Sequence, residues 1–429
     1  VQNVFMTMLM GLVFLTCGAA NAENAVEYIE TGKHSSCMQP LNTEDPCTVT
    51  NDESWYLDVR KAEWAFKNIS QFLPVSIISR GDQPIKHLPR AKSDLLEKVF
   101  EDEKGDKRKL RDILSRSAAD GFIALKQGKI ISEAYFDDFR PDSRHIVFSV
   151  TKTLVGLTAG VLINEGKIDP DAQVTKYLPE LTDSGFKGAT IRNLLNMTAG
   201  ADWNKVRSDP KSLVNINAMA GGFLKVPDDF PFDSTLSFLS SLGPVRNHGE
   251  KHVYNSSNTE ALAWVISRVT GRPWQNAFSE RIWSQLGAER DATIVVNGTG
   301  HGFGTAGFSA SLRDLARVGL LMEQDGQLNR RQIVPANWIK ETLTEDSVVK
   351  AAWQASTEKK RKPHVRYYKN QTRVIDADKG EFIATGFMGQ IIYVNQQKDF
   401  VGVVLSVQPD RRKIGHLIPL IRAVANHEG

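Results

Sequence analysis

With 429 residues, 41% of them hydrophobic, the chain can bury a sizeable core as one large domain or two, and it is too apolar to be disordered. Its formal net charge is only +3, and the basic residues are dispersed except at Lys359 to Lys362, which argues against a nucleic-acid partner. The nine histidines form neither a His-x-His nor a His-Glu-x-x-His pair, so no metal site is expected.

Residues 4 to 16 (VFMTMLMGLVFLT) form an apolar segment too short to span a bilayer comfortably, and AANA before Glu23 has the small-residue pattern of a signal-peptidase site after Ala22. The expectation is a leader over residues 1–22 and an exported product, periplasmic or secreted, without a stable membrane anchor. Cys17 lies inside the leader read over residues 1–22, without a lipobox. Cys37 and Cys47, close in sequence and flanked by Pro40 and Pro46, read as a local disulfide. Residues 23–105 are polar and irregular, with aromatics at Trp55, Tyr56, Trp64 and Phe66. They read as an extension that packs on a main domain over 106–429.

Two β-rich runs in GFIALKQGKIISEAYF flank Gln127-Gly128, a hairpin signal. FSVTKTLVGLTAGVLINEG follows, a helical run stopped by Glu165-Gly166 with Pro170 beyond. From Val174 to about Leu286 the patterning is mostly helical. The strand-rich segments EFIATGFMGQIIYVN and DFVGVVLSV come next, and HLIPLIRAVANH closes the chain with helical periodicity despite Pro419. Strands at both ends with helices between them predict an α+β fold: one sheet built from both ends of the chain, with a helical insert over about 174–286 on one edge.

Five Ser-x-x-Lys matches occur, at Ser149, Ser184, Ser208, Ser347 and Ser356, and only Ser149 opens a long helical pattern. That helix is apolar nearly all round and so buried. Residues three apart share a face, so the Ser149 hydroxyl and the Lys152 amine can touch, and Gly156 and Ala159 continue that face with small side chains. Desolvation there would push Lys152 toward its neutral, proton-accepting form. The same residues also suit an N-cap serine and a snorkelling lysine.

Gly302-Phe303-Gly304-Thr305-Ala306-Gly307 matches Gly-x-Gly-x-x-Gly after a plausible strand. EQDGQLNRRQ follows helix SLRDLARVGLLM in place of a second apolar strand, so these glycines read as a tight loop, and no nucleotide cofactor is expected. Gly-x-Ser-x-Gly is absent, which removes the usual nucleophile elbow. Tyr254, in a polar loop leading into a helix, suits a proton relay if an ammonium lowers its pKa, or a structural role. Ala384-Thr385-Gly386-Phe387-Met388-Gly389-Gln390 suits a strand edge where an oxyanion meets backbone N–H groups, or a bulge.

Taken in order, FSVTK, LLNMTAG, YNSSNT, FGTAGFSASLRDLARVG and ATGFMGQIIYV resemble the serine β-lactamase and penicillin-binding-protein superfamily over roughly residues 115 to 425. Within it they are similar to the class C β-lactamase-related hydrolases of the 6-aminohexanoate-dimer hydrolase and esterase branch. The resemblance implies an antiparallel sheet flanked by helices with an inserted all-helical domain. It also implies catalysis by Ser149 as nucleophile, Lys152 as base and Tyr254 as proton relay. The N–H groups of Ser149 and Phe387 would form the oxyanion hole, and Ser256, Asn258, Thr385 and Gly386 would contact a small amide or ester substrate. Ser256 replaces the asparagine of the family's Tyr-x-Asn motif, with Asn258 further on. Ala384-Thr385-Gly386 replaces Lys-Thr-Gly, and losing that lysine removes a cation that would hold a substrate carboxylate. The expected activity is therefore a serine amidase or esterase, ahead of a β-lactamase or D-alanyl-D-alanine peptidase, and ahead of a non-catalytic binder or acylation sensor.

Overall fold

A computed structural model describes residues 26–32 and 47–427. The leader read over residues 1–22 and Cys37 lie outside the described residues; Cys47 is disulfide-bonded.

The main sheet has eight strands, in the spatial order Glu27–Ile29, Lys129–Phe136, Ala119–Lys126, Phe400–Ser406, Ile391–Asn395, Glu381–Thr385, Thr372–Asp376 and Tyr367–Lys369. It is α+β and built from both ends of the chain, as expected. Every pairing is antiparallel except that of Glu27–Ile29 with Lys129–Phe136, which is parallel. The first hairpin turns at Gln127 and Gly128, both at positive φ (50° and 70°), the conformation that matches the twist of two adjoining strands. Helices Leu312–Glu323 and Arg411–Asn426 pack on the sheet strands. Between helix Val150–Asn164 and strand Ala292–Val295 the regular elements are all helical.

A second, four-stranded sheet runs Val75–Ile78, Ala292–Val295, Phe308–Ala310, His145–Ile146. The sequence reading did not foresee it, because strands of two to four residues carry too few positions to show a period. The glycine loop 302–307 connects its two middle strands, in keeping with its reading as a tight loop.

The residues before 106 are built into both sheets, through Glu27–Ile29 and Val75–Ile78. Trp55, Tyr56, Ala62, Ala65 and Phe66 form a core cluster with Ile146, Phe148, Phe223 and Met388. Arg317, fully buried, donates to the Lys86 carbonyl and pairs with Asp314 and Glu289, satisfying a buried charge from both directions.

Helix Val150–Asn164 runs through the centre, with every residue from Val150 to Leu162 buried. Its small-residue face does what the sequence suggested. A Cβ on Gly156 would lie 2.6 Å from the Asn370 carbonyl oxygen, so only glycine lets that backbone pass. One turn on, a Cβ on Gly160 would lie 2.3 Å from the Trp338 ring. Among the described residues no helix is long and apolar enough to cross a membrane.

Candidate active site

Ser149 stands at the N-cap of the central helix, but its side chain makes no capping hydrogen bond. Lys152 Nζ instead donates to Ser149 Oγ at 3.1 Å and to the Thr305 carbonyl at 2.7 Å. Lys152 is 2% exposed, so the snorkelling alternative fails: the stem does not carry the ammonium to water. Burial pushes its pKa down. Tyr254 and Glu260 pull it back up, while the nearby positive charges of Arg373 and Arg207 press it further down.

The backbone before the nucleophile is strained. Phe148 has φ of 46°, the left-handed region that a bulky residue rarely adopts. Its ring is enclosed by those of Trp55, Phe66, Phe223 and Phe387 at centroid distances of 6.1, 4.8, 6.1 and 5.5 Å. Thr151 Oγ1 ties the same turn, donating to the Phe148 carbonyl at 2.6 Å and accepting from the Phe308 N–H at 3.2 Å.

Tyr254 precedes helix Ser256–Thr270, whose N-cap Asn255 accepts from the Ser257 N–H at 2.8 Å. Three cations surround its ring: Lys152 Nζ at 5.4 Å, Lys205 Nζ at 5.3 Å and Arg373 Cζ at 4.5 Å from the centroid. Burial alone would raise its pKa. The charges of Lys152 and Arg373, with hydrogen bonding from Ser149 and Arg373, outweigh burial and bring the phenol down to about 7. Replacing Arg373 with methionine removes a charge that favours the phenolate, so the Tyr254 pKa should climb from about 7 toward the ordinary tyrosine value. Ultraviolet difference titration would read this, with Tyr254→Phe marking which tyrosine titrates; an unmoved low-pH step would contradict the electrostatic cause.

Strand Glu381–Thr385 ends beside the nucleophile. At Gly386 a Cβ would lie 2.2 Å from the Val147 carbonyl oxygen, so this position needs glycine for the strand end to reach the backbone that leads into Ser149. Phe387 follows in a short turn in which Met388 has φ of 57°. Arg207 Cζ lies 4.8 Å from the Phe387 ring centroid. Thr385 Oγ1 accepts from Arg373 Nη1 at 2.9 Å. The absent strand lysine therefore does not leave Thr385 without a cation, because Arg373 supplies one from the neighbouring strand Thr372–Asp376.

The structure thus gathers Ser149, Lys152 and Tyr254, and brings Thr385, Gly386 and Phe387 to the same place. Ser256 is the first residue of the helix after Tyr254 and is partly exposed. Asn258, read as a substrate contact, is fully buried, and both atoms of its amide lack a hydrogen-bond partner. It offers a substrate no surface.

Sequence reasoning missed Thr305, Glu260 and Arg373. Thr305 sits in the glycine loop, which read as a tight turn with no catalytic contact. Glu260 is the lone acid in NTEALAWV, a helical run that otherwise carries no charge, and that is the signal that could have found it. Nothing local tied Arg373 to Thr385.

A family model described as beta-lactamase matches residues 107–425, and the chain belongs to that family. It is a β-lactamase-related hydrolase. The 6-aminohexanoate-dimer hydrolase of Paenarthrobacter ureafaciens is 33% identical over 388 residues, covering 89% of this chain and 93% of the relative. A solved Bacillus anthracis protein named for the same hydrolase superposes with a TM-score of 0.81 at 24% identity, covering 90% of this chain and 98% of its own. A D-stereospecific amidohydrolase from Streptomyces shares the fold at a TM-score of 0.52 and 20% identity, covering 69% and 92%.

Proposed function

We propose that the protein hydrolyses an amide or ester bond of a small-molecule substrate through an acyl-enzyme on Ser149. The observation that carries this reading is the 3.1 Å contact between Ser149 Oγ and the buried Lys152 amine. Ser149 Oγ attacks the acyl carbon as Lys152 takes its proton, and the N–H groups of Ser149 and Phe387 hold the oxyanion. Tyr254 then passes a proton to the leaving amine or alcohol. Water attacks the acyl-enzyme by the same steps in reverse roles. The relative named for a 6-aminohexanoate dimer supports an amide substrate. Export, read from residues 4–22, belongs to the same proposal.

A second reading, β-lactamase or peptidase, is favoured by one contact: Arg373 beside Thr385 can meet a substrate carboxylate. Assays of the purified protein with a 6-aminohexanoate dimer, a p-nitrophenyl acyl ester and nitrocefin separate the two. The expected result is steady turnover of the amide or the ester, with a burst of nitrophenol, and weaker turnover of nitrocefin. Dominant nitrocefin turnover would favour the second reading, and one acylation without steady turnover would contradict both.

A further inference from the structure

The glycine loop that touches Lys152 is held from its other side by an acid. Glu260, on helix Ser256–Thr270, is 0% exposed. Its Oε1 accepts from the Thr305 N–H at 3.0 Å, and the Gly304 N–H also bonds to the carboxylate. Its Oε2 lies 3.5 Å from Thr235 Oγ1, which itself accepts from Trp264 Nε1 at 2.8 Å. The carbonyl of that same Thr305 accepts from Lys152 Nζ at 2.7 Å. One loop residue is thus gripped at its N–H by the acid and at its C=O by the lysine.

We propose that Glu260 is a positioning residue: through Thr305 it fixes where Lys152 stands, and its charge steadies the ammonium that forms when Lys152 takes the Ser149 proton. In that step the Ser149 O–H bond breaks and its proton moves to Lys152 Nζ, the bond from Oγ to the acyl carbon forms, and the carbonyl π bond breaks, leaving its electron pair on the oxyanion. The inference rests on the reading of Lys152 as the base.

Two observations argue for the charge rather than the hydrogen bonds alone. Among the described residues no cation forms a salt bridge with Glu260, so the carboxylate is buried without a direct ionic partner, an arrangement that costs stability. Burial pushes it up to about 7, against the pull of Thr305, Lys152 and Gly304, so the acid carries its charge above about that pH. A neutral glutamine could accept from the same N–H groups without that cost. The charged or titratable groups acting on Lys152 are Tyr254, Glu260, Arg373 and Arg207, and Glu260 is the one carboxylate among them.

The test is the pH profile of kcat/KM for a p-nitrophenyl ester in Glu260→Gln and Glu260→Asp, with folding checked by circular dichroism. The carboxylate favours protonated Lys152, so its removal lets the amine lose its proton at lower pH. In Glu260→Gln the acid limb should therefore move down, by about 1 pH unit, over the range above about pH 7 where Glu260 carries its charge. The plateau should fall several-fold as well, since the base is weaker. Glu260→Asp keeps the charge and should keep the limb near its original place even if the plateau drops. A limb that stays put in a folded Glu260→Gln, or one that Glu260→Asp shifts equally, would overturn the proposal. Failure of the underlying reading looks different: Ser149→Ala or Lys152→Met would then remain active whatever Glu260 does.

Discussion

Ser149→Ala and Lys152→Met should each lower kcat/KM for an acyl ester by a factor on the order of 10³ or more, and the double variant should be scarcely worse than either. The two side chains act in one event. Oγ is a poor nucleophile until its proton has somewhere to go, and the buried Lys152 amine stands within hydrogen-bonding distance of it, at 3.1 Å. A positioned general base is worth roughly 10² to 10⁴, so losing it leaves a serine with little intrinsic reactivity. Losing the serine leaves a base with nothing to activate. Methionine is the appropriate test residue, because Lys152 is enclosed and an apolar chain of similar length fills the space without a cavity. Steady-state kinetics on the three variants would check this. Costs that multiply in the double variant would show that the pair does not work as a unit.

Trp55→Ala should destabilise the protein by about 3–5 kcal/mol, the range for truncating a fully buried tryptophan. Trp55 is 0% exposed and its ring meets those of Tyr56, Phe66, Phe72, Phe148 and Phe223 at 4.9 to 6.1 Å. Its indole Nε1 also donates to the Phe223 carbonyl at 3.3 Å. The effect should not stop at stability. Trp55 stacks on Phe148 at an interplanar angle of 13°, and Phe148 holds the left-handed backbone directly before Ser149. Such a conformation costs of order 1–3 kcal/mol and persists only where its surroundings enforce it. Opening a cavity behind the ring should let that turn relax, lowering kcat in molecules that are still folded. Urea denaturation and kinetics well below the transition would read both effects. A loss under 1 kcal/mol with unchanged kcat would mean that the segment before residue 106 merely lies against the hydrolase core.

How much was legible in the sequence follows from what each signal depends on. The central helix was readable because its fifteen residues are apolar on nearly every side, and Gly156 announced the close approach of other backbone, which is that of Asn370. Tyr254 and the strand end at Thr385 to Phe387 were readable through motif order. The four-stranded sheet was not, since its pairings join residues 75, 145, 292 and 308, far apart in the chain and in short strands. Arg373 meets Thr385 only because neighbouring antiparallel strands carry them. The strand itself carries no lysine, yet a cation stands beside Thr385, because charge at a site depends on what neighbouring strands contribute as well as on the motif itself. Asn258 shows the opposite error, a polar residue at a promising spacing whose helix turns it into the interior.

The central claim, acyl transfer to Ser149, is tested most directly by where the acyl group goes. The protein would be mixed with a p-nitrophenyl ester, quenched in acid during the burst, digested with trypsin and examined by tandem mass spectrometry. The acyl mass should sit on the peptide spanning His145 to Lys152, with fragment ions placing it on Ser149 and not on Thr151. An acyl group carried stoichiometrically by any other residue, with this peptide unmodified, would contradict the account.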